Sequence, residues 1–141
     1  MRFAGRVFKK GNTWAVEVPI LDIVTQGKTK KDAYVMIADA IESLVNKKGF
    51  RVRVFKTEGN EFEVGASDQG ALTALLLRRA RQKAGLSLEE VAARLGAKSP
   101  NSYARYEQGR SVPSVGKFTE LFSAVAKNRE FVIMESRARY G

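Results

Sequence analysis

Two hydrophobic periods run along this chain of 141 residues. In the first half, apolar and polar positions alternate. Phe3, Gly5 and Val7 interleave with Ala4, Arg6 and Phe8, and Trp14, Val16 and Val18 interleave with Ala15 and Glu17. A period of two predicts strands with one apolar face, and Lys10-Gly11-Asn12 between them has turn chemistry. Trp14 is read as a core aromatic on the Val16 and Val18 face. Pro19 lacks a backbone donor and ends the second strand's pairing. A short third strand runs from Ile23 to Thr25. Thr29 then caps a helix, with Asp32 where a capping box usually has Glu. Ala33, Ile37, Ala40, Ile41, Leu44 and Val45 recur at helical spacing as one apolar stripe. Lys47 and Lys48 suit its C-terminal end, and Gly49 the left-handed cap. Val52 and Val54, then Phe62 and Val64 beyond a Glu58-Gly59-Asn60 turn, restore the alternation. These elements predict one helix laid on one small sheet.

From Gly65 to Gly70 the chain is small and polar, and beyond it the period becomes 3.6. Leu72 to Ala84 predicts a helix stopped by Gly85. Ser87 caps a second, with Glu89 and Glu90 in its first turn, and Gly96 stops that one. Ser99-Pro100 predicts an N-cap and a proline at the first position of a third helix, which Gly109 stops. Pro113 opens a fourth, with Val115, Phe118, Leu121, Phe122 and Val125 as its stripe. Phe131 to Met134 is strand-like. The organisation predicted is α+β: residues 1–68 a sheet-and-helix domain, 69–71 a linker, 72–129 an all-α domain, and 130–141 a strand-like segment and basic tail.

Composition narrows the chemistry. Cysteine and histidine are both absent, which removes disulfides, thiol catalysis, His-based triads and the usual zinc ligands. No apolar run reaches the roughly 20 residues of a spanning helix, and the N-terminus has no signal-peptide pattern. Two-metal hydrolysis needs converging carboxylates, usually one on the first strand, and Arg2 to Lys10 has none. Asp39 and Glu42 fit a solvated helix face. The sequence is therefore read as a cytoplasmic non-enzyme without cofactor or metal. The net charge is +10, the footprint of a protein that meets a polyanion. The excess is uneven: residues 1–69 carry +3 and residues 70–141 carry +7.

Leu86 to Gly109 has a helix-turn-helix pattern. Ala92 must be small where the third helix crosses the second. Val91, Leu95, Tyr103 and Tyr106 fill the space between them, and Gly96 permits the bend. Ser99, Asn101, Ser102 and Arg105 make the other face polar, and Asn and Arg match adenine and guanine edges in the major groove. LSLEEVAARLGAKSPNSYARYEQGRSVPS resembles the DNA-binding domain of Cro and lambda-repressor-like regulators of the xenobiotic-response-element type, over about 60 residues. One extra residue stands between Gly96 and Tyr103 relative to the commonest family spacing. Anchored at Tyr106 to Gly109, the resemblance puts base contacts at Pro100, Asn101, Ser102 and Arg105, and proline leaves direct readout to the other three. It gives phosphate contacts to Lys98 and Arg110, and matches Arg81 and Glu107 to a buried ion pair between the first and third helices. It also implies a homo-oligomer on an inverted-repeat operator.

WAVEVPILDIVTQGKTKKDAYVMIADAIESLV resembles the HicB-type antitoxin domain: a strand, a Pro-containing loop, T-x-G-x-T at Thr25 to Thr29, and a striped helix. Leu21-Asp22-Ile23-Val24 stands where that family usually has a Pro-Gly-Cys loop. The resemblance implies a degraded ribonuclease H-like fold, a HicA-type mRNA-cleaving toxin as partner, a homodimer or homotetramer, and repression of the shared operon. Residues 1–68 are expected to work as a separate toxin-binding fragment. The alternatives are a ligand-sensing repressor and an RNA-binding module. The second needs aromatics on the sheet's open face, where Phe8 and Phe55 are the candidates, with Lys9, Arg51 and Arg53 beside them.

Overall fold

The structure, a computed structural model, describes residues 1–138. It divides into two compact units. The first comprises residues 1–69 together with Met134 and the described residues after it; the second comprises residues 70–133.

In the first unit, β1 (Arg2–Lys10), β2 (Thr13–Val18), β3 (Ile23–Gly27), β4 (Val52–Lys56) and β5 (Glu61–Ala66) form one sheet, with α1 (Lys30–Val45) between β3 and β4. The strand order is β3-β2-β1-β5-β4 and every pairing is antiparallel. Register follows the alternation: Val7 lies opposite Val16 and Phe3 opposite Val64. Phe3, Val7, Val16, Val18, Ile37, Ile41, Phe62 and Val64 are buried. Trp14 is only half-buried, with Lys30 Nζ 5.9 Å from its ring centre. A side chain at Gly5 would strike the Phe62 ring and come within 2.9 Å of the Glu17 carbonyl. Gly27 is equally constrained. A Cβ there would lie 2.7 Å from the Asp32 carbonyl carbon and 2.8 Å from Ala33 Cα, so α1 starts directly against β3.

Several boundaries differ from expectation. The third strand continues to Gly27. Asn46, not Gly49, is the left-handed cap of α1 (φ 49°), because Asn tolerates that conformation and stands at the end of the last turn. Glu42 is not a solvated acid: its Oε1 accepts from Val52 N at 2.9 Å, tying α1 to β4. The expected linker is helical, since α2 (Gln69–Lys83) begins at Gln69; Ala and Leu at once supply helix formers, and Gly70 is tolerated in a first turn. The expected C-terminal strand is not formed among the described residues. Phe131 is drawn onto the last helix, Ile133 is 93% exposed, and the chain beyond is held by side chains rather than by a ladder. Residues 139–141 of the expected basic tail lie outside the described residues.

That tail returns to the open face of the sheet. Ser136 Oγ donates to Glu63, whose other oxygen accepts Arg137 N at 3.1 Å. Arg2 Nη1 reaches both Ser136 Oγ (3.0 Å) and Glu63 (3.3 Å), and Arg137 pairs with Glu61 at 3.1 Å. Burial alone would push the Glu63 carboxyl up, but these donors outweigh it and hold the group below its ordinary value. A depressed carboxylate stabilises the fold above the ordinary carboxylate range, and that contribution is lost as pH falls through the depressed value. Glu63→Gln is therefore expected to flatten the acid side of the stability curve. Urea unfolding at stepped pH reads this, and an unchanged slope would remove Glu63 as the group that titrates.

Candidate nucleic-acid interface

The second unit is built from α2, α3 (Leu88–Arg94), α4 (Asn101–Glu107) and α5 (Val115–Val125). Local chemistry sets the ends of α3. Ser87 Oγ accepts from Glu90 N at 3.1 Å while Glu90 Oε1 accepts from Ser87 N at 3.2 Å, a complete capping box. At the other end Gly96 takes φ 69°, and Ala97 N reaches back to the Ala92 carbonyl at 2.9 Å. The same closure recurs after α4, where Gly109 has φ 71° and Arg110 N bonds the Arg105 carbonyl at 3.0 Å. Each places a left-handed residue where a side chain would strain the backbone. Between them, Pro100 rather than the expected Ser99 takes the N-cap position of α4, and Ser99 Oγ accepts from Asn101 N at 3.3 Å from one residue before it. Regular helix starts at Asn101 rather than at Pro100.

Packing decides which side of α4 faces out. Tyr103, Ala104, Tyr106 and Glu107 are buried, as are Val91 and Ala92 of α3; Leu95 is half-buried. Ser114, directly after Pro113, caps α5 by accepting from Lys117 N at 3.1 Å. Leu121, Phe122 and Val125 form its inner face, whereas Val115, expected in that stripe, is exposed. Phe131 stacks on Phe118 at 4.8 Å between ring centres and lies 4.2 Å from Phe122, closing α5. Arg94 of α3 donates to the Ala124 carbonyl at 3.0 Å.

The outward side of α4 carries Asn101, Ser102 and Arg105, all exposed, with Lys98 and Arg110 exposed at its two ends. Ser99 is half-buried and its oxygen is engaged by Asn101 N. Arg105 lies along Tyr106, its guanidinium 5.1 Å from the ring centre and Nη2 3.4 Å from Tyr106 Oη. Gln108 is exposed too. It follows Asn101 and Arg105 at i, i+4, i+7, a stripe that helical spacing would have revealed. Side-chain amides and guanidinium on one such stripe offer donors and acceptors to base edges.

A buried ion pair holds α4 against α2. Arg81 Nε lies 2.7 Å from Glu107 Oε2 and 3.0 Å from Oε1, and its Nη1 donates to the Leu86 carbonyl at 2.9 Å. One guanidinium thus fixes both α4 and the turn that leads into α3. The two side chains are 17% and 5% exposed. The hydrogen bond to Glu107 pushes Arg81 further up, so the guanidinium keeps its charge. Tyr103 Oη is buried close to the Glu107 carboxylate, but among the described residues it makes no hydrogen bond of good geometry. Burial first, then the Glu107 carboxylate, pushes the Tyr103 phenol far above its ordinary value.

Residues 74–126 match the family model of a helix-turn-helix domain. No curated protein matches the chain. The helix-turn-helix match spans part of α2 and all of α3, α4 and α5, and it points to DNA-binding regulation by the second unit. Among the described residues no helix is long and apolar enough to cross a membrane.

Proposed function

We propose that this protein is a cytoplasmic transcriptional repressor and, through its first unit, the antitoxin of a HicA-type mRNA-cleaving toxin. The observation that carries the DNA-binding half is the exposed stripe of Asn101 and Arg105 on α4 with Gln108 at its C-cap, in a matched helix-turn-helix domain. On this reading Asn101, Ser102 and Arg105 read bases, and Lys98 and Arg110 hold phosphates. Ser99 acts chiefly through its bond to Asn101 N. A single helix-turn-helix buries little surface, so the functional species is an oligomer on two half-sites of an inverted repeat.

Arg105→Ala should narrow the gap between operator and scrambled duplex by about 1–3 kcal/mol. Lys98→Ala should weaken both about equally and lower the salt slope by about one, because phosphate contacts carry no sequence information. Titrations of both variants at two salt concentrations decide it. Equal weakening by Arg105→Ala, with lost preference in Lys98→Ala, would reverse the docking of α4.

The antitoxin half rests on the resemblance of residues 14–45 to the HicB-type domain. Its order of strand, Pro-containing loop, T-x-G-x-T and striped helix corresponds to β2, the Pro19 turn, β3 through Thr29, and α1. Co-expression of the full chain with a HicA-type toxin should restore growth and co-purify the pair. Continued toxicity with folded, soluble protein would end this reading. One observation favours ligand sensing instead: a groove of about 420 Å³ on the first unit, lined by Arg6, Thr57, Glu61, Glu63 and Arg137 among others. The RNA-binding alternative is weakened because Arg2 covers Phe55, its guanidinium 3.5 Å from the ring centre.

A further inference from the structure

Five lysines gather at one end of the sheet in the first unit. Lys9 and Lys10 close β1, where Lys9 lies across from Trp14 and Lys10 across from Thr13. Trp14 in turn lies across from Gly27, so the next residue, Lys28, reaches the same end. Lys30 and Lys31 then open α1. Lys30 is half-buried, its Nζ 5.9 Å from the Trp14 ring centre and donating to the Gly59 carbonyl at 3.0 Å. Lys9, Lys10, Lys28 and Lys31 are exposed, and among the described residues their ammonium groups make no hydrogen bond or ion pair. Other cations of the unit are engaged: Arg2 pairs with Glu63, Arg6 with Glu17 and Lys47 with Asp68.

This placement works against the fold. The N-terminal end of a helix carries partial positive charge and favours acids. Lys28 stands just before the Thr29 cap of α1, and Lys30 and Lys31 fill its first two positions, with Asp32 as the acid of that turn. Glu58, next to the Gly59 that Lys30 bonds, is the other acid here. A local rule broken in this way, with no compensating partner in the described chain, marks a surface kept for function.

Resting on the regulator reading for the presence of DNA, we propose that this end of the first unit is a second, sequence-independent contact for the phosphate backbone of the duplex that the second unit binds. Lysine suits that role, as a compact point charge without a planar fork to read a base edge. A duplex is favoured over a single strand, which needs open rings to stack on. Among the described residues this end offers Phe8 alone, 38% exposed, because Trp14 is half-buried with Lys30 over it. Tethering adds to the charge. Ser67 and Asp68 are all that separates β5 from α2, so a duplex held by the second unit meets the first at high effective concentration. Each phosphate neutralised releases counterions, and charge that is unfavourable in the free chain is relieved in the complex.

The test titrates the full chain with a random-sequence duplex of about 30 base pairs, at salt from about 50 to 200 mM. A triple variant, Lys10→Gln with Lys28→Gln and Lys31→Gln, should lose about two to three units of salt slope and bind about tenfold or more weakly. The control triple, Lys48→Gln with Arg51→Gln and Arg53→Gln, removes the same charge where α1 ends and β4 begins; it should keep the parent slope. Without DNA the lysine triple should melt no lower than the parent, since it takes cations away from the positive end of α1. Failure of the regulator reading is seen separately, as an Arg105→Ala variant that binds every duplex like the parent. An unchanged slope in the lysine triple, an equal loss in the control triple, or a lowered melting point would each overturn the proposal. So would lysine-dependent binding of single-stranded RNA more tightly than of the duplex.

Discussion

Glu107→Ala is expected to destabilise the helix-turn-helix unit by about 3 kcal/mol, the lower end of the range for breaking a buried pair. The lower end applies because 17% of Arg81 still meets solvent. The cost is not the lost attraction alone. Arg81 would keep its charge beside buried Tyr103 and, among the described residues, would retain just the Leu86 carbonyl as a hydrogen-bond acceptor. Glu89→Ala is the control. That acid is exposed in the first turn of α3, where its interaction with the helix dipole is worth roughly 0.3–1 kcal/mol. For a unit of this size each kcal/mol moves the melting point by about 4–8 °C, so calorimetry should separate the variants by 8 °C or more. Removing both charges, as Arg81→Met with Glu107→Leu, should recover much of the loss, since a buried pair can be replaced by apolar groups at little cost. Equal melting shifts for Glu107→Ala and Glu89→Ala would dispose of the pair as the clamp on α4.

Gly27→Ala should be the most damaging methyl group added to the first unit. The atoms it meets are backbone, Asp32 C and Ala33 Cα, so no rotamer change relieves the contact. Either β3 or the start of α1 must move, and overpacking of this kind costs about 1–3 kcal/mol or more. Thr29 would be disturbed as well, because its Oγ1 caps α1 by accepting from Asp32 N at 3.0 Å. Gly116→Ala provides the contrast: it lies in the first turn of α5 with nothing within 4 Å of a new Cβ. There the loss of glycine's backbone freedom should stabilise by up to about 1 kcal/mol. Urea unfolding of the two variants should give opposite signs. A neutral Gly27→Ala would mean that α1 is not seated on β3 as described.

Elements whose signal is local were readable from the chain. Alternation located β1 and β2, and Ser87 with Glu90 announced the start of α3. The helical stripe of α1 was legible because burial selects one face. The Arg81 and Glu107 pair came from family resemblance alone; no spacing on the chain pairs residues 26 apart. Misreadings arose where a local cue had a competitor. Gly49 lost the cap of α1 to Asn46, which tolerates the same conformation three residues earlier. Phe131 to Met134 looked like a strand because its residues are apolar, but a strand needs a partner, and Phe131 was captured by Phe118 and Phe122 instead. On α4 the cue to Gln108 was present in the i, i+4, i+7 spacing. The role of Glu63 was not legible at all, since its partners Ser136 and Arg137 are more than seventy residues away.

That distance also orders events at the ribosome. Strands β1 to β5 leave the exit tunnel first, but the side chains that cross their open face, Ser136 and Arg137, are translated only after all of α2 to α5. Chains emerge at about 5–20 residues per second, so for several seconds Glu61 and Glu63 stand without those two partners while the helix-turn-helix unit is being made. The unit that starts folding first is thus the last to be finished. A fragment ending at residue 68 would lack both of these partners for good.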